Sequence, residues 1–315
     1  MPLPSDQRII QLADNLIAAF EAAFGVHPGK RPAHARGILL KGEFTPAQEA
    51  LTLTRAPHLR SGTLPAVARF SNSTGLPALP DNHPRADPRG FAIRFYLADR
   101  VHTDIISHAA NGFPTKNGDD FLTFFRAAGA SDPSRNPPSP TPLEQFLAAH
   151  PETAAFLQTP KPTPSSFARE QYFGVTAFEF INSEGVKCFG RYHIVPEAGI
   201  EHLDAAAVAA QSPDFLHDEI RRRVQSGPVR FAIKVQVANS GDVVNDPTHA
   251  WPDDRPQVPF GTLTLNQVHP ADEAEQKHII FDPIPRVDGI EPSDDPLLEL
   301  RAAVYLISGR RRRQA

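Results

Sequence analysis

Residues 229–237 read Val-Arg-Phe-Ala-Ile-Lys-Val-Gln-Val, the clearest structural pattern in the chain. Apolar side chains occupy every second position from Val229 to Val237, and Arg, Ala, Lys and Gln stand between them. Because successive side chains of a β-strand point to opposite faces, this period of two predicts a half-buried antiparallel strand. The stretch therefore indicates a sheet protein whose strands each turn one apolar face inward.

Seven further stretches show a similar alternation. They lie at 34–44, 66–72, 91–97, 101–107, 172–182, 187–195 and 260–268. Eight strands joined by long connections, rather than by regular helices, favour a single closed barrel. We therefore predict an α+β fold, mainly antiparallel: an eight-stranded closed β-barrel with long wrapping loops and peripheral helices.

Helices are predicted outside the barrel. Apolar residues at helical spacing predict a helix over 7–24, with Gly25 as its stop. Shorter helical pieces are predicted near 143–158 and near 203–226. No repeat or flexible linker divides the chain, so we predict one domain over 1–315. Its parts are an N-terminal helix (1–27), a core (28–312) and a tail (313–315).

The C-terminal segment begins with Ser293-Asp294-Asp295-Pro296, a sequence typical of a helix start. The helix is predicted from Leu297 to about Arg310. Arg301, Tyr305 and Arg312 are spaced i, i+4 and i+11, so they project from one helix face. One interpretation is an amphipathic helix whose basic tail complements the helix dipole. The other interpretation is that these three side chains belong to a functional site.

Composition limits the partners. A formal net charge of −4 offers no electrostatic reason to expect nucleic acid or an anionic membrane. No apolar run approaches a membrane-spanning length, and charged residues interrupt the first 25 positions, so no signal peptide is expected. Cys188 is the only cysteine; it cannot form an intrachain disulfide, and we assign it a packing role. We therefore expect a cytoplasmic protein with no nucleic-acid or membrane partner.

Four motifs resemble signatures of the haem catalase family. They are Arg-Pro-Ala-His at 31–34 followed by Gly37, Arg-Phe-Ser-Asn at 69–72, Pro-Arg-Gly-Phe-Ala-Ile-Arg-Phe-Tyr-Leu at 88–97, and Arg-x-x-x-Tyr at 301–305. The motifs occur in the family's order, and the likeness extends from about residue 28 to 312. Within the family, the chain most resembles the minimal catalase-related peroxidases. The resemblance implies haem b as the cofactor.

The resemblance implies that Tyr305 is the iron ligand. A phenolate is an electron-rich axial ligand that suits ferric haem. Arg301, one helical turn earlier, would favour the phenolate because a nearby positive charge stabilises the charged form. Asp295 and His193 match the positions that continue this network in the family. Asp295 is equally explained as the helix cap, and the two roles are compatible.

On the other side of the haem, His34 matches the family's distal histidine. It would carry a proton from one peroxide oxygen to the other, which splits the O–O bond heterolytically and leads to a ferryl intermediate. Ser71 matches the serine that hydrogen-bonds this histidine and sets its tautomer.

The resemblance also assigns the residues that hold the haem itself. Arg31, Arg69 and Arg312 match the family's three propionate-binding arginines, whose forked guanidinium groups suit carboxylates. Phe121 matches the aromatic residue that lies against the porphyrin.

One position departs from the family pattern. Catalases place an asparagine in the distal pocket, and here His108 occupies that position in the segment 104–108. Asn111, three residues later, is the alternative if the loop is rearranged. Extensions that lock large catalase tetramers are also missing from this sequence, so we expect a homodimer.

The leading functional hypothesis is a haem-dependent peroxidase/catalase active against oxidative stress. It would reduce hydrogen peroxide or small organic hydroperoxides with an unknown small-molecule electron donor. A second hypothesis is a hydroperoxide isomerase similar to allene oxide synthases, although Ala33 precedes His34 where those enzymes are expected to have Thr. A third is a haem-binding or sensing barrel without turnover.

Overall fold

The computed structural model describes residues 2–315, and its centre is one sheet of ten strands. The strands are β1 (Gly37–Pro46), β2 (Leu64–Ser71), β3 (Gly90–Ala98), β4 (Val101–His108), β5 (Tyr172–Phe173), β6 (Phe178–Ile181), β7 (Lys187–Pro196), β8 (Val229–Val237), β9 (Gln257–Val268) and β10 (Ile290–Pro292). Every pair of neighbouring strands is antiparallel.

The sheet closes on itself. Its order runs β7-β5-β4-β3-β2-β1-β9-β8, and the last strand of this series, β8, pairs with the first, β7. The short strands β5 and β6 lie along the same edge of β7, one after the other, so together they act as one interrupted barrel strand. β10 extends the sheet beyond β6. The predicted eight-stranded antiparallel barrel is therefore confirmed.

Three details differ from the prediction. The strand predicted at 172–182 is broken between Phe173 and Phe178, where the intervening segment turns Val175 and Thr176 toward a cavity. The strand predicted from residue 34 begins only at Gly37. β10 was not predicted, because three residues are too few to show an alternation.

Eight α-helices surround the barrel in the described residues. They are α1 (Gln7–Phe24), α2 (Gly118–Ala130), α3 (Pro142–Ala149), α4 (Pro151–Gln158), α5 (Ala205–Ala209), α6 (Phe215–Ser226), α7 (Asp272–His278) and α8 (Leu297–Gln314). α1 has the predicted bounds. The predicted pieces near 143–158 and 203–226 are each two helices. Pro151 starts the second helix of the first pair and cannot donate the backbone hydrogen bond that a continuous helix needs.

α8 continues past its predicted end. Pro296 immediately precedes its first residue, and the helix runs to Gln314 rather than to about Arg310. The last turn is anchored because Arg312 and Arg313 donate to the backbone carbonyls of Lys277 and His278. None of the helices within residues 2–315 combines the length and apolar character needed to cross a membrane.

Two clusters of buried apolar side chains pack the barrel and three of its helices. The barrel interior is filled by aromatic and aliphatic side chains, among them Phe70 and Phe91, whose stacked ring centroids are 4.3 Å apart. A second cluster joins α1, α2 and α8 outside the barrel through Leu16, Leu122 and Leu300. Burial of this apolar surface holds the three helices together, and Leu298 of α8 packs into the barrel cluster. The division of the chain into one domain with the predicted parts stays a prediction.

Candidate active site

A cavity of about 250 Å³ lies between the barrel wall and helices α1, α2 and α8. It brings together residues that are far apart in the sequence. The predicted site residues that line it are Arg31, His34, Arg69, Ser71, His108, Phe121, Arg301, Tyr305 and Arg312. His193 and Asp295, also predicted, are not among its lining residues.

His34 has an unusual backbone. Its φ is +55°, in the left-handed region that residues other than glycine rarely adopt. Its N–H donates to the carbonyl of Ser73 over 3.1 Å, and the N–H of Ala35 donates to Thr74 over 3.0 Å. The interpretation of His34 as a strand residue is therefore wrong. A loop held by the segment after β2 presents its ring.

The ring of His34 is fixed by two neighbours. Its Nδ1 lies 3.0 Å from the Ser71 hydroxyl at the end of β2. On the adjacent strand, a Cβ at Gly90 would lie 2.7 Å from both His34 Nδ1 and Ser71 Oγ, closer than real Cβ contacts. Only glycine leaves room for this pair. Sequence reasoning did not single out Gly90, although a glycine inside a strand is a known sign of a close approach.

The two histidines of the cavity are neutral near neutral pH. Burial, followed by the charges of Arg69, His108 and Arg31, lowers the pKa of His34 to about 3. Burial also lowers the pKa of His108 to about 4, with smaller contributions from Arg301 and Lys161. A neutral imidazole has one donor nitrogen and one acceptor nitrogen, as a proton shuttle requires.

His108 presents an unsatisfied group. It is the last residue of β4, and its Nδ1 accepts the N–H of Ala110 over 3.2 Å, so its Nε2 carries the proton. That Nε2 is buried and has no hydrogen-bond partner within residues 2–315. A buried unpaired donor is destabilising, which indicates a ligand atom in the cavity. Asn111 does not line the cavity, so His108 holds the position.

Three arginines converge on one end of the cavity. Arg31 donates to the carbonyls of Gln276 and Ile279 over 3.1 and 3.0 Å, and Arg312 also donates to Ile279 over 2.7 Å. Arg69 donates to the side-chain oxygen of Gln276 over 2.9 Å. These acceptors are neutral, so the array has three guanidinium groups whose hydrogen bonds end on uncharged oxygens.

The pKa values of the three arginines also reflect positive charges that no carboxylate of the described residues pairs with. Burial, together with the charges of Arg69 and Arg312, lowers the pKa of Arg31 well below its usual range. Burial lowers the pKa of Arg69 to about 9, with a contribution from Arg312 that Asp272 partly offsets. The pKa of Arg312 falls to about 10, again mainly through burial. Buried cations are stable when paired, so this end of the cavity suits an anion with more than one carboxylate.

Tyr305 and Arg301 line the cavity from α8, the helix that also carries Arg312. The guanidinium carbon of Arg301 lies 5.9 Å from the centre of the Tyr305 ring, and its Nη1 donates to the Thr176 hydroxyl over 3.1 Å. Thr176 belongs to the interruption between β5 and β6, which sequence reasoning took as continuous strand. The break therefore supplies a contact to the predicted ligand helix.

Asp295 acts as a helix cap, since its carboxylate accepts the N–H of Leu297 over 2.9 Å. Burial raises its pKa, while Leu297 and the Arg301 charge act in the opposite direction. The cap is thus observed, and the part of Asp295 in a network with Arg301 stays a prediction. His193 is buried on β7, where its ring packs edge-on against Phe173 at 5.1 Å. The structure does not bring His193 to the cavity wall.

Comparison with known proteins identifies the family. A family model described as catalase matches residues 27–314. The chain belongs to the catalase family. It is 37% identical over 304 residues to a catalase-related peroxidase of Mycolicibacterium paratuberculosis, and the match covers 94% of this chain and 93% of the relative. A catalase-related peroxidase of Synechococcus elongatus is 35% identical over 298 residues, with 94% and 87% covered. The predicted family is confirmed.

Solved catalases share the fold. A bacterial catalase superposes with a TM-score of 0.77 at 25% identity, covering 98% of this chain and 62% of that one. A fungal catalase gives the same TM-score at 22% identity, with 99% and 64% covered. This chain thus spans under two thirds of the length of either catalase. Together, the family and its relatives confirm the predicted enzyme class, an oxidoreductase that acts on peroxide.

The cavity residues fit haem, the cofactor typical of the catalase family. The cluster of three arginines suits a ligand with two carboxylates, and Phe113 and Phe121 add flat apolar surface. Tyr305 offers a phenolic oxygen to iron from one wall. His34 and His108 also line the cavity. His34 offers a neutral imidazole, and His108 offers its unpaired Nε2. Cations, apolar walls and an oxygen ligand are the groups that haem requires.

Proposed function

We propose that this chain binds haem b and reduces hydrogen peroxide or small organic hydroperoxides at the expense of a small-molecule electron donor. One observation carries the proposal. A single cavity is lined by the hydrogen-bonded pair His34–Ser71, by Tyr305 and by three arginines without carboxylate partners in their hydrogen bonds. Bound haem would supply the iron at which the peroxide O–O bond is broken.

His34 is the proposed proton carrier. Its Nδ1 is occupied by the Ser71 hydroxyl, which leaves Nε2 to take a proton from one peroxide oxygen and return it to the other. The lowered pKa of His34 keeps the ring neutral and able to accept that proton. Gly90 and the left-handed backbone hold the ring in place, so little reorganisation is needed during the reaction.

The remaining side chains are proposed to hold the cofactor. Tyr305 would bind the iron through its phenolic oxygen, and Arg301 would favour the charged form of that oxygen. Arg31, Arg69 and Arg312 would pair with the propionates, which would relieve the repulsion among the three buried cations.

Reconstitution with ferric haem b tests the proposal. We expect one haem per chain, a Soret band and consumption of hydrogen peroxide coupled to oxidation of a phenolic donor. Haem binding without turnover would instead favour the sensing barrel. Conversion of a fatty-acid hydroperoxide to a product without any donor would favour the isomerase. A chain that gives no Soret band after reconstitution is incompatible with all three.

His108 is expected to favour donor oxidation over oxygen release. Its Nε2 offers one donor, whereas an asparagine amide offers both a donor and an acceptor to a second peroxide molecule. His108→Asn should therefore raise the ratio of oxygen evolved to donor oxidised, measured with an oxygen electrode and by dye absorbance. Asn111→Ala is the matched control, because Asn111 does not line the cavity. A level or falling ratio at unchanged haem content would show that His108 does not tune this balance.

Gly90→Ala is expected to slow the reaction with peroxide. The added methyl group would overlap His34 Nδ1 and Ser71 Oγ, so the ring must move, and a displacement of about 1 Å can lower a rate by about 10²-fold. The rate is read by stopped-flow absorbance after mixing haem-loaded protein with peroxide. Gly129→Ala on α2 is the control, since a Cβ there meets no atom within 4 Å. A wild-type rate in Gly90→Ala would contradict the positioning role of this glycine.

A further inference from the structure

The first helix forms part of the cavity, although it lies outside the catalase family match. That match begins at residue 27, whereas α1 ends at Phe24. Leu16 and Phe20 of α1 are buried, with 3% and 8% of their surfaces exposed, and both line the cavity. A segment outside the residues matched by the family model thus supplies two apolar side chains to the site.

The packing of α1 shows how it is held there. Leu16 belongs to the same apolar cluster as Leu297 and Leu300 of α8, the helix that also carries Tyr305. The Phe20 ring packs edge-on against Phe125 of α2 at 4.8 Å between centroids. α1 therefore bridges two helices that contribute other residues to the cavity, and its position is set by both.

Ion pairs orient the helix along its outer side. Arg311 of α8 lies 2.7 Å from Asp14 and 3.6 Å from Glu21, and Arg8 lies 2.8 Å from Asp119 of α2. These side chains are substantially exposed, and exposed ion pairs contribute little stability. The apolar contacts of α1, rather than its ion pairs, must therefore account for most of its attachment.

The C-terminal arginines link this helix to the cavity. Arg312 is buried at the end of the cavity where the three arginines converge, while its neighbour Arg311 pairs with Asp14 of α1 and Arg313 donates to the carbonyl of His278. One turn of α8 thus contacts both the cavity and the helix that covers it. Movement of α1 away from α8 would open the apolar side of the cavity to water.

We propose that α1 is a haem-retaining cover, in which Leu16 and Phe20 form the wall that keeps haem from leaving the cavity. The inference rests on the proposed function, because it requires that haem is the ligand. Apolar ligand surface next to these two side chains is removed from water only while α1 is docked. Release of haem then requires α1 to move or its apolar contacts with the ligand to be lost.

The test is the rate at which haem leaves the reconstituted protein, followed by transfer to excess apomyoglobin. Leu16→Ala and Phe20→Ala should release haem about ten- to a hundredfold faster, as expected for the loss of a buried apolar contact. Phe20→Leu, which keeps an apolar wall and is less disruptive, should lie between Phe20→Ala and the unaltered protein. Leu12→Ala is the matched control, since Leu12 packs in the same cluster but does not line the cavity.

Two results would overturn the inference. One is release at the unaltered rate in Leu16→Ala, Phe20→Ala and Phe20→Leu, each shown to be folded by the melting midpoint of its apoprotein. The other is equal acceleration in Leu12→Ala, which would mean that loosened packing, not the cavity wall, controls release. Both require that haem binds first. A protein that never acquires a Soret band would contradict the proposed function instead, so the two failures are distinguishable.

Discussion

His34→Ala is expected to keep its haem but to react with peroxide about 10²–10⁴-fold more slowly, the usual contribution of a general acid–base group. The substitution removes the only neutral imidazole in the described cavity whose Nδ1 is held by a hydroxyl, at 3.0 Å from Ser71. Haem affinity should change little, because the proposed iron ligand and propionate partners are other residues. The measurement is the absorbance change after rapid mixing of haem-loaded protein with peroxide.

The pH dependence of this rate is an independent test of His34 as the proton acceptor. Burial, then the charges of Arg69 and Arg31, lower the pKa of His34 to about 3. Protonation on the acid side removes the base, so the rate should be level through neutral pH and fall on acidification. Haem propionates would offset the two arginine charges, so we expect the inflection between about 3 and the usual value of about 6.5. His34→Ala should lose this inflection.

A second histidine serves as the control. His249→Ala removes an imidazole that is largely exposed and does not line the cavity, so it should leave both the rate and its pH profile unchanged. A wild-type rate in His34→Ala would assign proton transfer to another group, and His108 would be the next candidate.

The barrel was predictable from sequence because each long strand turns one apolar face inward. β8 spans Val229–Val237, the same residues whose alternation predicts it. The break in the strand predicted at 172–182 was signalled and overlooked, because the apolar positions shift phase there, from Phe173, Val175 and Ala177 to Phe178 and Phe180. The local pattern does not record what the broken segment contacts: Val175 and Thr176 line the cavity, and Thr176 accepts a hydrogen bond from Arg301 of α8.

The position of His34 was hidden for a similar reason. No glycine or turn sequence marks a left-handed residue at 34, and the conformation depends on carbonyls of Ser73 and Thr74, some 40 residues later. By contrast, α2 was signalled and overlooked. Asn117 caps it by accepting from the N–H of Asp120, and acidic residues fill its first turn. The resemblance of the motifs predicted which residues line the site, but it did not predict the backbone conformation that presents them.

Tyr305→Phe is expected to produce a folded protein that has lost high-affinity haem binding. Phenylalanine keeps the ring, so its packing on α8 and its 5.9 Å approach to the Arg301 guanidinium are preserved. Only the phenolic oxygen, the proposed iron ligand, is removed. Removing a residue that merely supports a metal ligand lowers affinity by about 10–100-fold, so loss of the ligand itself should exceed about 10²-fold. Titration of the apoprotein with haem, followed through the Soret band, measures the change.

The shape of the residual spectrum separates the iron ligand from the rest of the site. Arg31, Arg69 and Arg312 remain in Tyr305→Phe, so weakly bound haem can still be held by its propionates, but with an altered Soret position and negligible peroxide turnover. Tyr96→Phe is the matched control, because the same oxygen is removed from a half-buried tyrosine of β3 that does not line the cavity. If Tyr305→Phe binds haem with unchanged affinity and spectrum, the iron is held by another residue. In that case the three arginines, rather than the Tyr305 oxygen, would account for the affinity for haem.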